Sequence, residues 1–226
     1  MRRWIYRMQY KYGRRYGIEN LMLYITITML AVYLAEALLG IPAFGFLMFH
    51  RGLIFQGEIW RIITFIFLPL PANPIWVLLS LYIYYFMGNS LEGEWGKFSF
   101  TLYYAFGIIG AIIAGFLTGA TSNYYLNLSL LLAFAQLFPD TEFRIFFLFP
   151  VKVKYIGYVM WIIYGLVLIF ALITLNLPQV AAILAALLNF FLFFGGDIHG
   201  KLKNWLKYRS RRRQFKNDRK RYPNQW

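Results

Sequence analysis

The chain has 226 residues, of which 60% are apolar, 21% are aromatic and only 14% are charged. Soluble domains average about 45–50% apolar and about 25% charged residues, so this composition excludes a globular cytosolic enzyme. The formal net charge of +14 lies wholly in the two ends, because residues 1–20 contribute +5, residues 195–226 contribute +9, and the 174 residues between them are neutral. A neutral apolar body between basic ends is typical of a polytopic membrane protein.

Two further features narrow the class. The chain contains no cysteine, which excludes disulfides, thiolate nucleophiles and cysteine-based metal sites. The N-terminal flank is basic and aromatic, and a full-length span follows it without a small-residue cleavage motif. We therefore expect this flank to be retained rather than removed as a signal peptide.

Six apolar runs approach the roughly 20 residues that cross a bilayer as a helix. The predicted spans are Leu21–Leu39, Ile75–Leu91, Phe98–Thr118, Tyr124–Phe138, Tyr155–Thr174 and Pro178–Phe194. These runs predict an all-α integral membrane protein. Its six-helix membrane domain occupies residues 21–194, between a basic N-terminal flank (1–20) and a basic C-terminal tail (195–226).

The first long connection, Gly40–Pro74, is too apolar to be an ordinary solvated loop. Pro69, Pro71 and Pro74 prevent it from joining the second span as one unbroken helix. The pattern indicates a half-embedded first loop rather than a seventh span.

Loop charge predicts the orientation. Both ends are strongly basic, and cytoplasmic segments carry the excess of Lys and Arg, so both termini should be cytoplasmic. The connection between the fourth and fifth spans then also lies inside, and it carries Arg144, Lys152 and Lys154. The predicted outer segments 119–123 and 175–177 carry no charge.

The fourth span is short and polar. Fifteen residues reach roughly 22 Å, less than the hydrocarbon thickness of about 30 Å, so such a helix lies inside a bundle, faces a wet cavity or thins the bilayer. Four polar side chains form a candidate face for client helices: Asn127, Ser129, Gln136 and, in the sixth span, Asn189. The alternative is hydrogen bonding between helices within the bundle.

The third span carries small residues at every fourth position: Gly107, Ala111, Gly115 and Gly119. Such a stripe lets helix backbones approach closely. Two interpretations remain open, packing within the chain and a homodimer face.

Three segments resemble the rhomboid superfamily, which includes rhomboid proteases and derlins. Gly57–Phe65 contains the Trp60-Arg61 pair of the rhomboid first loop, and Gly88–Gly96 resembles the Gly-xxx-Glu-xxx-Gly signature through Gly88, Glu92 and Gly96. Leu137–Pro139 and Pro150–Lys154 resemble the loop that leads bacterial rhomboids into their fifth span. The resemblance implies a rhomboid-like six-helix bundle in which Arg61 contacts carbonyls of the embedded first loop.

The family's catalytic positions are occupied by other residues. Alignment from Leu137–Pro139 puts Tyr124 at the position of the serine nucleophile, and the His position of the sixth span falls on Ile183. The oxyanion pair of the second span falls on Trp76 and Ser80. Because a serine nucleophile needs an adjacent base, we expect a pseudoprotease and no enzyme activity. No cofactor or metal is implied.

By this resemblance, the expected function is non-proteolytic binding of transmembrane client segments in membrane-protein quality control, trafficking or assembly, aided by local bilayer thinning. The expected location is a bacterial plasma membrane. Two alternatives are a lipid scramblase or small-solute transporter, and a residual intramembrane serine hydrolase. The basic tails have three candidate partners: anionic headgroups, a ribosome or nucleic acid, and a cytosolic protein.

Overall fold

The computed structural model describes residue 10 and residues 17–70, 73–145 and 149–196. Within these residues, the chain consists mainly of six long helices with two short pairs of strands between them. The long helices are α1 (Leu21–Leu39), α5 (Pro74–Trp95), α6 (Lys97–Thr118), α7 (Tyr124–Leu137), α8 (Val153–Ile173) and α9 (Leu177–Gly196). Most of both basic tails, and Pro71, lie outside the described residues.

Four of these helices, α1, α6, α8 and α9, are long and apolar enough to cross a membrane. Helix α7 has only 14 residues. Helix α5 has 22 residues, but it is not among the helices that are both long and apolar enough to cross a membrane. The order of the six helices agrees with the sequence prediction, whereas length and composition support four spans.

Local signals explain where two of the helices begin and end. Helix α1 stops at Gly40, whose positive φ of 66° suits a residue without a side chain. Helix α5 begins at Pro74, and the side chain of Asn73 accepts a hydrogen bond from the Trp76 N–H at 3.2 Å. Proline in the first turn and an Asn cap both favour helix initiation.

The first loop is folded rather than irregular. It contains α2 (Ala43–Leu47), strand β1 (Phe49–His50), α3 (Arg51–Phe55), α4 (Arg61–Thr64) and a 3₁₀ turn, Phe65–Phe67. Strand β1 pairs antiparallel with β2 (Ala120–Thr121), so the loop is fixed to the end of α6. Beyond α7, strands β3 (Glu142–Ile145) and β4 (Phe149–Lys152) form an antiparallel pair.

These strand pairs correct the all-α prediction. Each is only two to four residues long, and each connects helices where the sequence shows no long alternation of apolar and polar residues. The fold is therefore mostly helical, with two small β elements at its connections.

The core is built around α5, α6 and α7. Helix α5 packs against α1, α6 and α7, and α8 packs against α7. Aromatic rings from different helices contact one another in this core. Phe193 of α9 packs against Trp95 and Tyr103, which also pack against each other. Helix α8 is the least buried of the four long apolar helices.

Candidate functional site

Arg61 lies at the centre of the first loop. Only 3% of the Arg61 surface is exposed. Its guanidinium donates to the carbonyl oxygens of Gly45 at 2.7 Å and Met48 at 2.9 Å, and to the Glu58 carboxylate at 2.6 Å. A planar guanidinium has five donors in fixed positions, so one side chain satisfies backbone acceptors that the short helices leave free. The predicted contacts with first-loop carbonyls are present.

Trp60 and Thr64 add further contacts to the same segment. The Trp60 indole N–H donates to the Phe46 carbonyl at 3.2 Å, while about half of its side chain remains exposed. The Thr64 hydroxyl donates to the Leu47 carbonyl at 3.1 Å. Trp60, Arg61 and Thr64 therefore hold α2 and the residue that follows it through side-chain hydrogen bonds to backbone carbonyls.

The Gly88, Glu92 and Gly96 motif joins α1, α5 and α6. A Cβ atom at Gly88 would lie 2.5 Å from the Cβ of Met22, so only glycine permits this approach of α1 to α5. Glu92 Oε1 accepts the N–H of Asn20 at 2.8 Å, directly before α1. Gly96 separates α5 from α6 with a φ of +80°. Each residue of the motif thus has its own packing or hydrogen-bonding role.

The small-residue stripe of α6 is covered from within the chain. A Cβ at Gly115 would meet the Phe49 ring at 2.5 Å, and one at Gly107 would lie 3.0 Å from Asn189 Nδ2. Ala111 is buried, and Gly119 ends the helix where its carbonyl accepts the Arg51 N–H at 2.9 Å. This geometry favours packing within the chain over a homodimer face.

Three of the four residues of the predicted polar face are buried: Asn127, Ser129 and Asn189. Gln136 is half-buried. The Ser129 hydroxyl donates to the Leu126 carbonyl at 2.7 Å, and its own carbonyl accepts the Tyr103 hydroxyl at 2.9 Å. Asn127 lies beside Tyr84 of α5. Hydrogen bonding between helices therefore accounts for Ser129.

The two positions that replace the family's catalytic residues differ in environment. Tyr124 is 43% exposed, whereas Ile183 is fully buried. Ser122 instead lines a cavity of about 10 Å³ together with Ala182, Ala185 and Ala186 of α9. Among the described residues, the single histidine is His50, which is exposed in the first loop. No group of three or more His, Asp or Glu suited to a metal ion occurs in the part of the chain that the structure describes.

The structure also identifies contacts that the sequence did not indicate. Asn123 is buried, and its Nδ2 donates to the carbonyls of Ile66 at 2.9 Å and Leu68 at 2.7 Å. It therefore joins the start of α7 to the end of the first loop. Glu58 could have been found from its spacing, because it precedes Arg61 by three residues. The acceptors of Asn123 are backbone atoms more than 50 residues away, and sequence spacing does not indicate them.

Charge also orders the segment before α1. Lys97 at the start of α6 forms an ion pair with Glu19, and its hydrogen bond and positive charge lower the pKa of this exposed glutamate. The Ile18 N–H donates to the Thr101 hydroxyl at 3.1 Å. The segment preceding α1 is therefore attached to α6 as well as to α5.

Comparison with known families agrees with the helix pattern. The model of a family described as eukaryotic integral membrane protein (DUF1751) matches residues 20–126. The chain is a multi-pass integral membrane protein. The matched range covers α1, the first loop, α5, α6 and the beginning of α7. No match was found among curated proteins.

The matched family is described as eukaryotic, so the comparison gives no support to a bacterial plasma membrane. Its description names neither rhomboids nor a function. The rhomboid resemblance therefore rests on the sequence motifs.

Proposed function

We propose that this integral membrane protein is a rhomboid-like pseudoprotease that binds transmembrane segments of other proteins without cleaving them. The observation that carries the proposal is the short helix α7 between two longer helices, α5 and α8. The proposed binding face lies along α5 and α8, and its role would be in quality control, trafficking or assembly of membrane proteins.

The helix lengths support local thinning of the bilayer. At about 1.5 Å per residue, the 14 residues of α7 reach roughly 21 Å, whereas the 22 residues of α5 reach roughly 33 Å. Both α5 and α8 pack against α7. Because α7 is shorter than a hydrocarbon layer of about 30 Å, the bilayer would become thinner around this helix. A thinner bilayer lowers the free-energy cost of admitting a client helix with polar residues.

The two flanking helices present apolar side chains outward. Tyr82 is exposed and stacks on Phe86, which also packs against Phe134 of α7, so Tyr82 lies on the side of α5 next to α7. On α8, Ile162 and Leu166 are exposed one turn apart. Phe143 of β3 packs against Phe86 of α5 and Phe134 of α7. A client helix would thus contact α5 at Tyr82 and the outward side of α8, because Ile162 and Leu166 lie away from Gly157, where α8 meets Ala135 of α7.

The absence of proteolysis is part of the proposal. The cavity beside Ser122 is lined on the α9 side by alanines, which cannot accept a proton from the serine hydroxyl. Its volume of about 10 Å³ admits no peptide. A serine-reactive probe that labelled Ser122 would instead favour the residual hydrolase.

The scramblase or transporter remains the alternative from another functional class. Thinning of the bilayer around α7 would also lower the free-energy barrier to the movement of lipid headgroups between the two leaflets. A path for charged solutes needs polar or charged lining, and the cores of the long helices carry few charges. A lipid-scrambling assay with the purified protein in liposomes separates the alternatives, since client binding alone produces no lipid exchange.

Orientation and surface partners complete the proposal. Both termini face the cytoplasm, and the basic tails bind anionic headgroups, with about 1 kcal/mol contributed by each basic residue near the surface. A cytosolic protein or the ribosome is the alternative partner of the C-terminal tail. Accessibility of single introduced cysteines on intact and permeabilised cells would establish the orientation, and the chain offers a cysteine-free background.

The test of client binding is site-specific photo-cross-linking in native membranes. Cross-linkers at Tyr82, Ile162 and Leu166 should capture membrane proteins. Matched cross-linkers at Ile109 and Ile113, which are also exposed apolar positions but lie on α6, should capture few. Capture at α6 equal to that at α5 and α8 would argue against a specific client face.

A further inference from the structure

A small cavity lies between α6, the start of α7 and α9. Gly107 and Ala111 line it on one side, Thr121 and Ser122 at the connection, and alanines of α9 on the other. Its volume of about 10 Å³ is room for about one water molecule. The cavity is lined in part by hydroxyl groups, which distinguishes it from an apolar packing defect.

Two polar side chains, one lining this cavity and one beside its wall, have no protein partner among the described residues. Thr121 is buried and lines the cavity, and its Oγ1 atom neither donates nor accepts a hydrogen bond there. Asn189 is 5% exposed, and neither its Nδ2 nor its Oδ1 is paired within the described part of the chain. Ser122 is a second hydroxyl-bearing residue of the cavity wall.

The position of Asn189 brings its amide to the same region. It follows Ala185 and Ala186 by four and three residues, so it lies on the face of α9 that lines the cavity. Its Nδ2 would be 3.0 Å from a Cβ at Gly107, which is a cavity-lining residue. Asn189 is also 12 residues from the start of α9, roughly 18 Å along the helix and therefore near the middle of a bilayer.

Unpaired amides at this depth are costly, because the hydrocarbon offers no hydrogen-bond partner. Some buried polar side chains of the bundle are paired with protein atoms, as Asn123 and Ser129 are. Of the groups without a partner in the described part of the chain, Thr121 lines the cavity and Asn189 lies beside its wall at Gly107. The remaining unpaired atoms, Glu92 Oε2, Tyr104 Oη and Asn127 Oδ1, belong to residues that do not line it. A water molecule needs two to four polar partners, and Thr121, Ser122 and Asn189 provide that number.

We propose that this cavity is a buried hydration site, in which ordered water bridges the Thr121 hydroxyl and the Asn189 amide. The water supplies the hydrogen bonds that the protein leaves unmade, and it stabilises the packing of α6 against α9. This inference is independent of client binding, since it concerns only the interior of the bundle.

Two variants test the hydration site by whether they lower or raise the thermal stability of the protein. Thr121→Val and Asn189→Leu keep the approximate side-chain volume and remove the polar atoms. If water bridges them, each variant should lower the melting temperature in mild detergent by about 2–4 °C, and the double variant should lose less than the sum of the two. If the cavity is dry, removing unpaired polar atoms should leave the melting temperature unchanged or raise it, which would overturn the proposal.

Thr26→Val is the matched control, because Thr26 is equally buried but its hydroxyl donates to the Met22 carbonyl of its own helix at 2.8 Å. This variant should have a smaller effect than Thr121→Val. A high-resolution experimental structure provides a readout that does not depend on variants. Density for water within hydrogen-bonding distance of Thr121 Oγ1 is expected, and an empty cavity at a resolution that shows other ordered water would refute the site.

Discussion

Replacing Arg61 by alanine removes the side chain on which the folded first loop depends. The buried guanidinium bonds two carbonyl oxygens and one carboxylate, and its side chain is 4% exposed against 30% for Glu58. Each hydrogen bond to a charged group contributes about 1.5–3 kcal/mol, and removing one partner of a buried ion pair costs about 3–5 kcal/mol. We expect Arg61→Ala to lower the free energy of unfolding by about 3–5 kcal/mol.

The assay is reversible unfolding in mild detergent, with limited proteolysis of the first loop as a second readout. Arg61→Lys should lose less than Arg61→Ala, because it keeps the charge but not the planar set of donors. Arg51→Ala is the control, since Arg51 is exposed and its side chain bonds a single carbonyl, that of Phe116. We expect that control to cost less than about 1 kcal/mol. Equal losses in Arg61→Ala and Arg51→Ala would refute a central role for Arg61.

Three further predictions concern packing, a long-range contact and pH. Gly88→Ala should destabilise the protein by about 1–3 kcal/mol through overpacking against α1, whereas Gly93→Ala, where a Cβ meets no neighbouring atom within 4 Å, should be neutral or slightly stabilising in the same unfolding assay. Asn123→Ala should cost about 1–3 kcal/mol and increase proteolysis of the segment before α5, because two buried carbonyls lose their donor. Lys97 lowers the pKa of Glu19, so their ion pair stabilises the fold above the ordinary glutamate pKa, and this stabilisation is lost as pH falls through the lowered pKa. In acid-unfolding curves, Lys97→Met should therefore reduce the loss of stability over this pH range. An unchanged curve would contradict the prediction.

The helices were largely predictable from the sequence, because an apolar run long enough to cross a bilayer has few alternative structures. Helix α1 has the predicted bounds, Leu21–Leu39, and α7 ends one residue before the predicted Phe138. Helix α5 continues to Trp95, four residues past the prediction, because Glu92 and Glu94 lie at the polar end of a helix that apolarity alone would stop earlier.

The connections were not predictable to the same degree. Pairing of β1 with β2 joins residues about 70 positions apart, and two-residue strands have too little periodicity to be recognised. The resemblance anticipated the carbonyl contacts of Arg61. The burial of Asn127 and Asn189 depends on how α6, α7 and α9 pack, and composition alone did not distinguish an interior position from a client-facing one.

The most direct measurement of client binding compares the proteins captured by a photo-cross-linker at Tyr82 with those captured at Ile113, at equal expression in native membranes. The predicted result is a set of transmembrane proteins joined to Tyr82 in intact form and largely absent at Ile113. Equal capture at the two positions, or cleaved products at Tyr82, would contradict a non-proteolytic client-binding role.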